Sequence, residues 1–223
     1  MPMKRLFATV LALVLTLCLC SCREDPQDNE HTQTTATAAT SAEKSPQLGD
    51  FADGTYVNDF LGICCAVGEE WTVYSDTQLA QLNGLVLDAM TDADLVEQLK
   101  KSNIAHLFYA IADGGHRSVN VVLENVGVVN GVLLDEKTYM ALSVEQLPNA
   151  LQSMGLTDVT AQETTVSFAG RDHAAAWVHG LLSGVHFYEK IICIKVGDYF
   201  GLVTVASDRE DQTDALLEMF TAE

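Results

Sequence analysis

Basic residues are scarce in this chain. Lysine and arginine number 12 against 31 acidic residues in 223, a formal charge of −19. Binding of nucleic acid depends on cationic side chains neutralising phosphates, so a nucleic-acid partner is excluded. Anionic lipid headgroups are repelled as well, and the charge is read as solubility or as an allowance for a cationic partner. Catalytic signatures are also missing. There is no Gly-x-Ser-x-Gly, no His-Glu-x-x-His, no Walker loop and no Gly-x-Gly-x-x-Gly. No Cys-x-x-Cys or Cys/His spacing marks a structural zinc, and no repeat of 20–50 residues is visible. The uncharged apolar run Leu6–Cys20 is only fifteen residues long. As a helix it would span about 22 Å, short of a hydrocarbon layer of about 30 Å, which excludes a permanent transmembrane helix.

What is present begins with an address. Lys4 and Arg5 precede that apolar run, as in an export signal, but no Ala-x-Ala site follows it. The run ends in Leu19-Cys20-Ser21-Cys22, which resembles a bacterial lipobox. The resemblance implies that Leu19 is the −3 position, Cys20 and Ser21 the small residues, and Cys22 the lipid acceptor. Residues 1–21 would be a lipoprotein signal peptide, and Cys22 would carry a covalent diacylglycerol at the mature N-terminus. No other cofactor is expected. Two acyl chains suffice for stable anchoring, so the chain is expected to be exported and held at the outer face of a bacterial membrane.

Residues 22–50 read as the lipidated cysteine and a tether. His31 to Ala42 is mostly Thr and Ala, too polar to offset the entropy of ordering. A flexible coil of that length spans roughly 30 Å. Loss of residues 1–21, which hold Lys4 and Arg5 and no acid, takes the formal charge from −19 to −21. Cys64, Cys65 and Cys193 then remain, an odd number. Cys193 paired with Cys64 or Cys65 is one expectation, and three buried apolar thiols the other.

Residues 51–223 read as one α+β domain, an α/β/α sandwich around a mainly antiparallel sheet. A hairpin is expected over Tyr56–Val67, turning at Asn58-Asp59. Capped helices follow from Ser75 and Thr91. Strands Ile104–Ala112 and Ser118–Glu124 flank Asp113-Gly114-Gly115. A helix over Asp135–Met154 is expected to break or kink near Pro148. Strands at about 160–168, 173–182, 185–196 and 199–206 form a meander with turns at Ala169-Gly170, Ser183-Gly184 and Gly197-Asp198. A last helix from about Ser207 would bury Leu216, Leu217 and Phe220.

The opening Gly54-x-Tyr56-x-Asn58, then Leu61-Gly62-Ile63, then Trp71, resembles the PsbP-like fold of a photosystem II extrinsic subunit and a Ran-binding import protein. The Gly170 turn, the strands around Gly197-Asp198-Tyr199 and the terminal helix fit the same pattern, and the usual Pro-x-Gly-Trp reads Gly68-Glu69-Glu70-Trp71 here. Small exported bacterial lipoproteins with this opening are similar along nearly the whole domain. That fold hosts unrelated functions, so the resemblance transfers no binding residue.

The sharpest chemical candidates are histidines. His173 and His179 share one strand face. A two-residue turn at Ser183-Gly184 would set His179 diagonal to His186 and opposite Tyr188. Neutral imidazoles so placed suit a transition metal, but a third ligand is lacking, and a hydrogen-bonded sheet face is the preferred reading. The acids Asp208, Glu210, Asp211 and Asp214 lack EF-hand order and are read as helix-start residues. The expected function is a non-catalytic, membrane-anchored binding or assembly module whose partner is an envelope protein or a small ligand. The alternatives are a metal-binding protein or metal-dependent hydrolase using His179 and His186, and a small-ligand receptor.

Overall fold

The structure, a computed structural model, describes residues 45–223. The expected signal peptide, Cys22, His31 and most of the expected tether lie outside the described residues. The chain opens with β1 (Asp50–Ala52), β2 (Thr55–Asn58) and β3 (Ile63–Ala66), then β4 (Trp71–Val73). Next come α1 (Asp76–Leu82), α2 (Asp92–Ser102), β5 (Ile104–Ala112), β6 (Arg117–Asn125), α3 (Gly127–Leu133) and α4 (Glu136–Ser153). The meander is β7 (Leu156–Phe168), β8 (Arg171–Leu182), β9 (Val185–Val196) and β10 (Tyr199–Asp208), followed by α5 (Thr213–Leu217) and β11 (Phe220–Ala222).

These elements form a single α+β domain with two antiparallel sheets. One has four strands in the order β1-β2-β3-β11, the other seven in the order β4-β5-β6-β10-β9-β8-β7. Tight turns dictate the antiparallel pairing. Ala169-Gly170 and Ser183-Gly184 place both central residues at positive φ, the hairpin geometry that matches strand twist. The pairing of β6 with β10 is long-range and closes the seven-stranded sheet.

Each face of that sheet has its own cover. Tyr139, Met140, Leu147 and Leu151 of α4 pack on Phe187, Ile191, Phe200 and Leu202. On the opposite face, Tyr56, Ile63 and Phe220 of the small sheet join Leu95 and Leu99 of α2 and Leu216 and Leu217 of α5. They bury Phe108, Val121, Ile192 and Val203. The opening motif is structural. The Tyr56 hydroxyl donates to Leu48 O at 2.7 Å, while Asn58 donates to Gln47 O at 3.1 Å and accepts from Leu61 N at 2.9 Å. Trp71 is buried beneath Arg117, whose guanidinium lies 5.3 Å from the ring centroid.

Three expectations are corrected. The turn of the first hairpin is the longer 59–62, because Asn58 is the last residue of β2 and its side chain braces Leu61. Pro148 lies inside an unbroken α4, capped by Asp135 accepting from Thr138 N at 2.7 Å. The final helix shrinks to Thr213–Leu217, because β10 continues to Asp208 and Phe220 instead joins β11, paired with Cys65. Phe220 is still buried, as a strand residue.

Cys64, Cys65 and Cys193 are free thiols. Alternation along β9 turns Cys193 toward α4, whereas Cys65 sits in the cluster on the other face. A disulfide needs Cβ atoms about 4 Å apart, and the sheet itself lies between them. Burial pushes the Cys65 thiol up to about 12 and Cys193 in the same direction, so neither is a nucleophile at neutral pH.

Candidate functional site

The histidine register reads as the turn requires. Leu182 pairs with Val185, Leu181 with His186 and His179 with Tyr188. His179 Nε2 and His186 Nδ1 meet at 2.9 Å. Their rings lie 5.2 Å apart, with Trp177 stacked on His179 at 6.1 Å and Tyr188 beside it at 5.0 Å. Trp177 donates to Asp211 at 3.0 Å. Each imidazole thus spends one nitrogen on the other. Among the described residues, no group of three or more His, Cys, Asp and Glu side chains is placed to hold a metal ion.

His173 stands apart from that pair. Regular pairing of β8 with β9 covers Ala175–Leu182, and the His173 ring reaches beyond it to Cys193 O at 3.0 Å. The Glu136 carboxylate, at the start of α4, lies 3.1 Å from the same Nδ1 and accepts from Lys195 N at 2.9 Å. Arg171 Nε donates to His173 Nε2 at 3.0 Å, which assigns the ring proton to Nδ1. Burial alone would raise the Glu136 carboxyl, but the bonds from His173 and Lys195 N and the Arg171 charge hold it below its ordinary value. An open groove of about 750 Å³ runs past Glu136, Arg171, His173 and Lys195. His173 itself is only 2% exposed and has partners on both ring nitrogens, so it clamps the strand opening.

The other two described histidines lie apart from both groups. His106 is buried on β5, and burial takes its pKa down to about 4, so the ring is neutral. His116 is bonded to Asp208 at 2.6 Å.

The strongest polar constellation is one that pattern reading missed. On the α4 face of the large sheet, Asn120 of β6 pairs with Thr204 of β10, and Glu189 of β9 pairs with Ala206. Ser118 pairs with the same Ala206 from the other side. Asn120, Thr204 and Glu189 are buried, and their side-chain nitrogen and oxygens have no hydrogen-bond partner among the described residues. Leaving a buried polar group unpaired costs about 1–3 kcal/mol, and here three such side chains adjoin. Burial pushes Glu189 up to about 8, so at neutral pH it is a carboxylic acid able to donate as well as accept. Apolar neighbours flank this floor: Val178 beside Glu189, and Ile191 beside Thr204. The one sequence signal was a lone acid or amide inside an otherwise apolar strand.

No protein-family model matches the chain, and no curated protein matches it. Among solved structures, it is similar to the crystal structure of LpqN, involved in cell envelope biogenesis of Mycobacterium tuberculosis. Identity is 12% and the TM-score 0.38, over 71% of this chain and 82% of that one. A likeness that loose assigns no property to this chain.

Proposed function

We propose that this chain is a non-catalytic, lipid-anchored binding module on the outer face of a bacterial membrane. Its lipid is the diacylglycerol expected on Cys22, and its domain belongs with the PsbP-like proteins that its opening motif resembles. The ligand is a small molecule with an uncharged polar head, taken at the buried polar residues on the α4 face of the large sheet. The single observation behind the binding role is the buried floor of Asn120, Thr204 and Glu189 without partners among the described residues. Such a floor suits a head that both donates and accepts, since Asn120 offers both roles and neutral Glu189 does too. A protonated acid in an apolar setting disfavours a charged ligand.

Native mass spectrometry of the chain purified from its source membrane tests the reading. A non-covalent mass of a few hundred daltons, lost when Glu189→Leu is combined with Thr204→Val, is the expected result. A bare protein mass, with only water released on unfolding, overturns the ligand. A separate fatty-acid label tests the anchor: it should enter the parent chain and be absent from Cys22→Ser.

A further inference from the structure

α3 is built inside out. Its large aliphatic side chains, Val128, Val129, Val132 and Leu133, are 68%, 72%, 77% and 71% exposed. They fall on one stripe of the helix, at spacings of one, four and five residues. The face turned to the protein is Gly131, whose Cα is so close to the β9–β10 turn that a Cβ would lie 2.7 Å from Asp198 Cα. A glycine face docks the helix, and the stripe that ordinarily enters a core points outward. The arrangement is pinned at both ends. Val126 N donates to Asp198 O at 3.1 Å, and the Lys195 ammonium donates to Leu134 O.

Charge and position narrow what covers this stripe. Residues 125–134 contain no charged side chain, in a chain of formal charge −19. An acidic body can approach a bilayer through such a surface without bringing carboxylates against the headgroups. The described chain also enters at the same end of the molecule. Gln47 O is bonded to Asn58, Asn58 leads into the 59–62 turn, and Phe60 packs edge-on against Tyr199 at 5.6 Å, next to Asp198. Only the segment between Cys22 and Gln47 separates the expected lipid from this end.

We propose that α3 is a second membrane contact, its Val128–Leu133 stripe inserting at the headgroup boundary of the bilayer that holds the anchor. The inference rests on the tethering proposed above. One lipid-modified residue sets the distance to the membrane, and the apolar helix sets the orientation, so that this end of the sheet faces the lipid.

Amide hydrogen exchange of the full chain reconstituted in phosphatidylcholine vesicles tests it. Exchange is followed on the vesicles and again after proteolysis between residues 23 and 44 has released the domain. Residues 126–134 are expected to exchange at least tenfold more slowly on the vesicles, while the Ser183-Gly184 turn at the opposite end of β9 is unchanged. Val129→Asp with Val132→Asp, on a surface where neither side chain supports the core, should abolish the difference. Replacing a third of the lipid with an anionic one should shrink it, because the acidic body is repelled. Equal rates in 126–134 before and after release, or protection untouched by the two aspartates, overturns the inference. Intact mass of the same sample reports separately whether Cys22 carries acyl chains. Slowed exchange in a chain without them would retain the α3 contact and remove the anchor.

Discussion

Glu189→Gln is expected to stabilise this protein, and to do so increasingly as pH rises. Glu189 is wholly buried, and burial lifts its pKa from the ordinary 4.5 to about 8. Below 4.5 the carboxyl is protonated in the folded and unfolded chain alike, and the two states bind the same number of protons. Above 4.5 the unfolded chain ionises while the folded one keeps its proton. Stability then falls by about 1.4 kcal/mol per pH unit until the folded carboxyl ionises near 8. By pH 7 the accumulated loss is about 3 kcal/mol, a large share of the 5–15 kcal/mol that holds a typical domain together. Glutamine keeps the shape and cannot ionise, so the variant escapes that loss. Urea unfolding of parent and variant at pH 5, 6, 7 and 8 measures the gap directly. It should widen by about 2–3 kcal/mol from pH 5 to pH 7 and level off above 8. A gap that stays constant across that range would show that Glu189 titrates normally, and the argument for a neutral acid in the polar floor would fail with it.

Other perturbations test the supports around that floor. Asn83 clips the open edge of β5, donating to His106 O at 2.9 Å and accepting from His106 N at 2.8 Å. Asn83→Ala strands both backbone groups and should cost about 2–3 kcal/mol in urea unfolding. Gly131→Val forces α3 off Asp198 and should destabilise by about 1–3 kcal/mol, with faster exchange confined to residues 126–134. His179→Ala with His186→Ala removes a surface pair and should change stability by less than about 1 kcal/mol. It should also leave the metal content of the purified protein unchanged, and a metal lost with the two histidines would restore the metal-site reading.

Local chemistry decided which parts of this molecule were readable in advance. Ser183-Gly184 can form a two-residue turn, and that turn alone sets the register that brings His179 to His186. The capping boxes of α1 and α2 are likewise spelled by residues three apart, Ser75 with Gln78 and Thr91 with Asp94. The C-terminus was misread because Leu216, Leu217 and Phe220 fit a helical stripe as well as a short helix followed by a strand. Only the free edge of β3 favours the second.

The α+β class followed from sequence alone, from alternating strands broken by glycine turns; the expected address rests on a basic start, an apolar run too short to span and a lipobox-like ending. These depend on neighbours a few residues apart, and chain order already contains them. Tertiary structure decided the rest. Asn120, Thr204 and Glu189 converge because β10 lies between β6 and β9, a pairing across some 80 residues that no local pattern announces. Val128, Val129, Val132 and Leu133 face outward because Gly131, on the opposite side of α3, brings its backbone against Asp198. An apolar run by itself reads as core, and it becomes a surface only where the space behind it admits nothing larger than hydrogen.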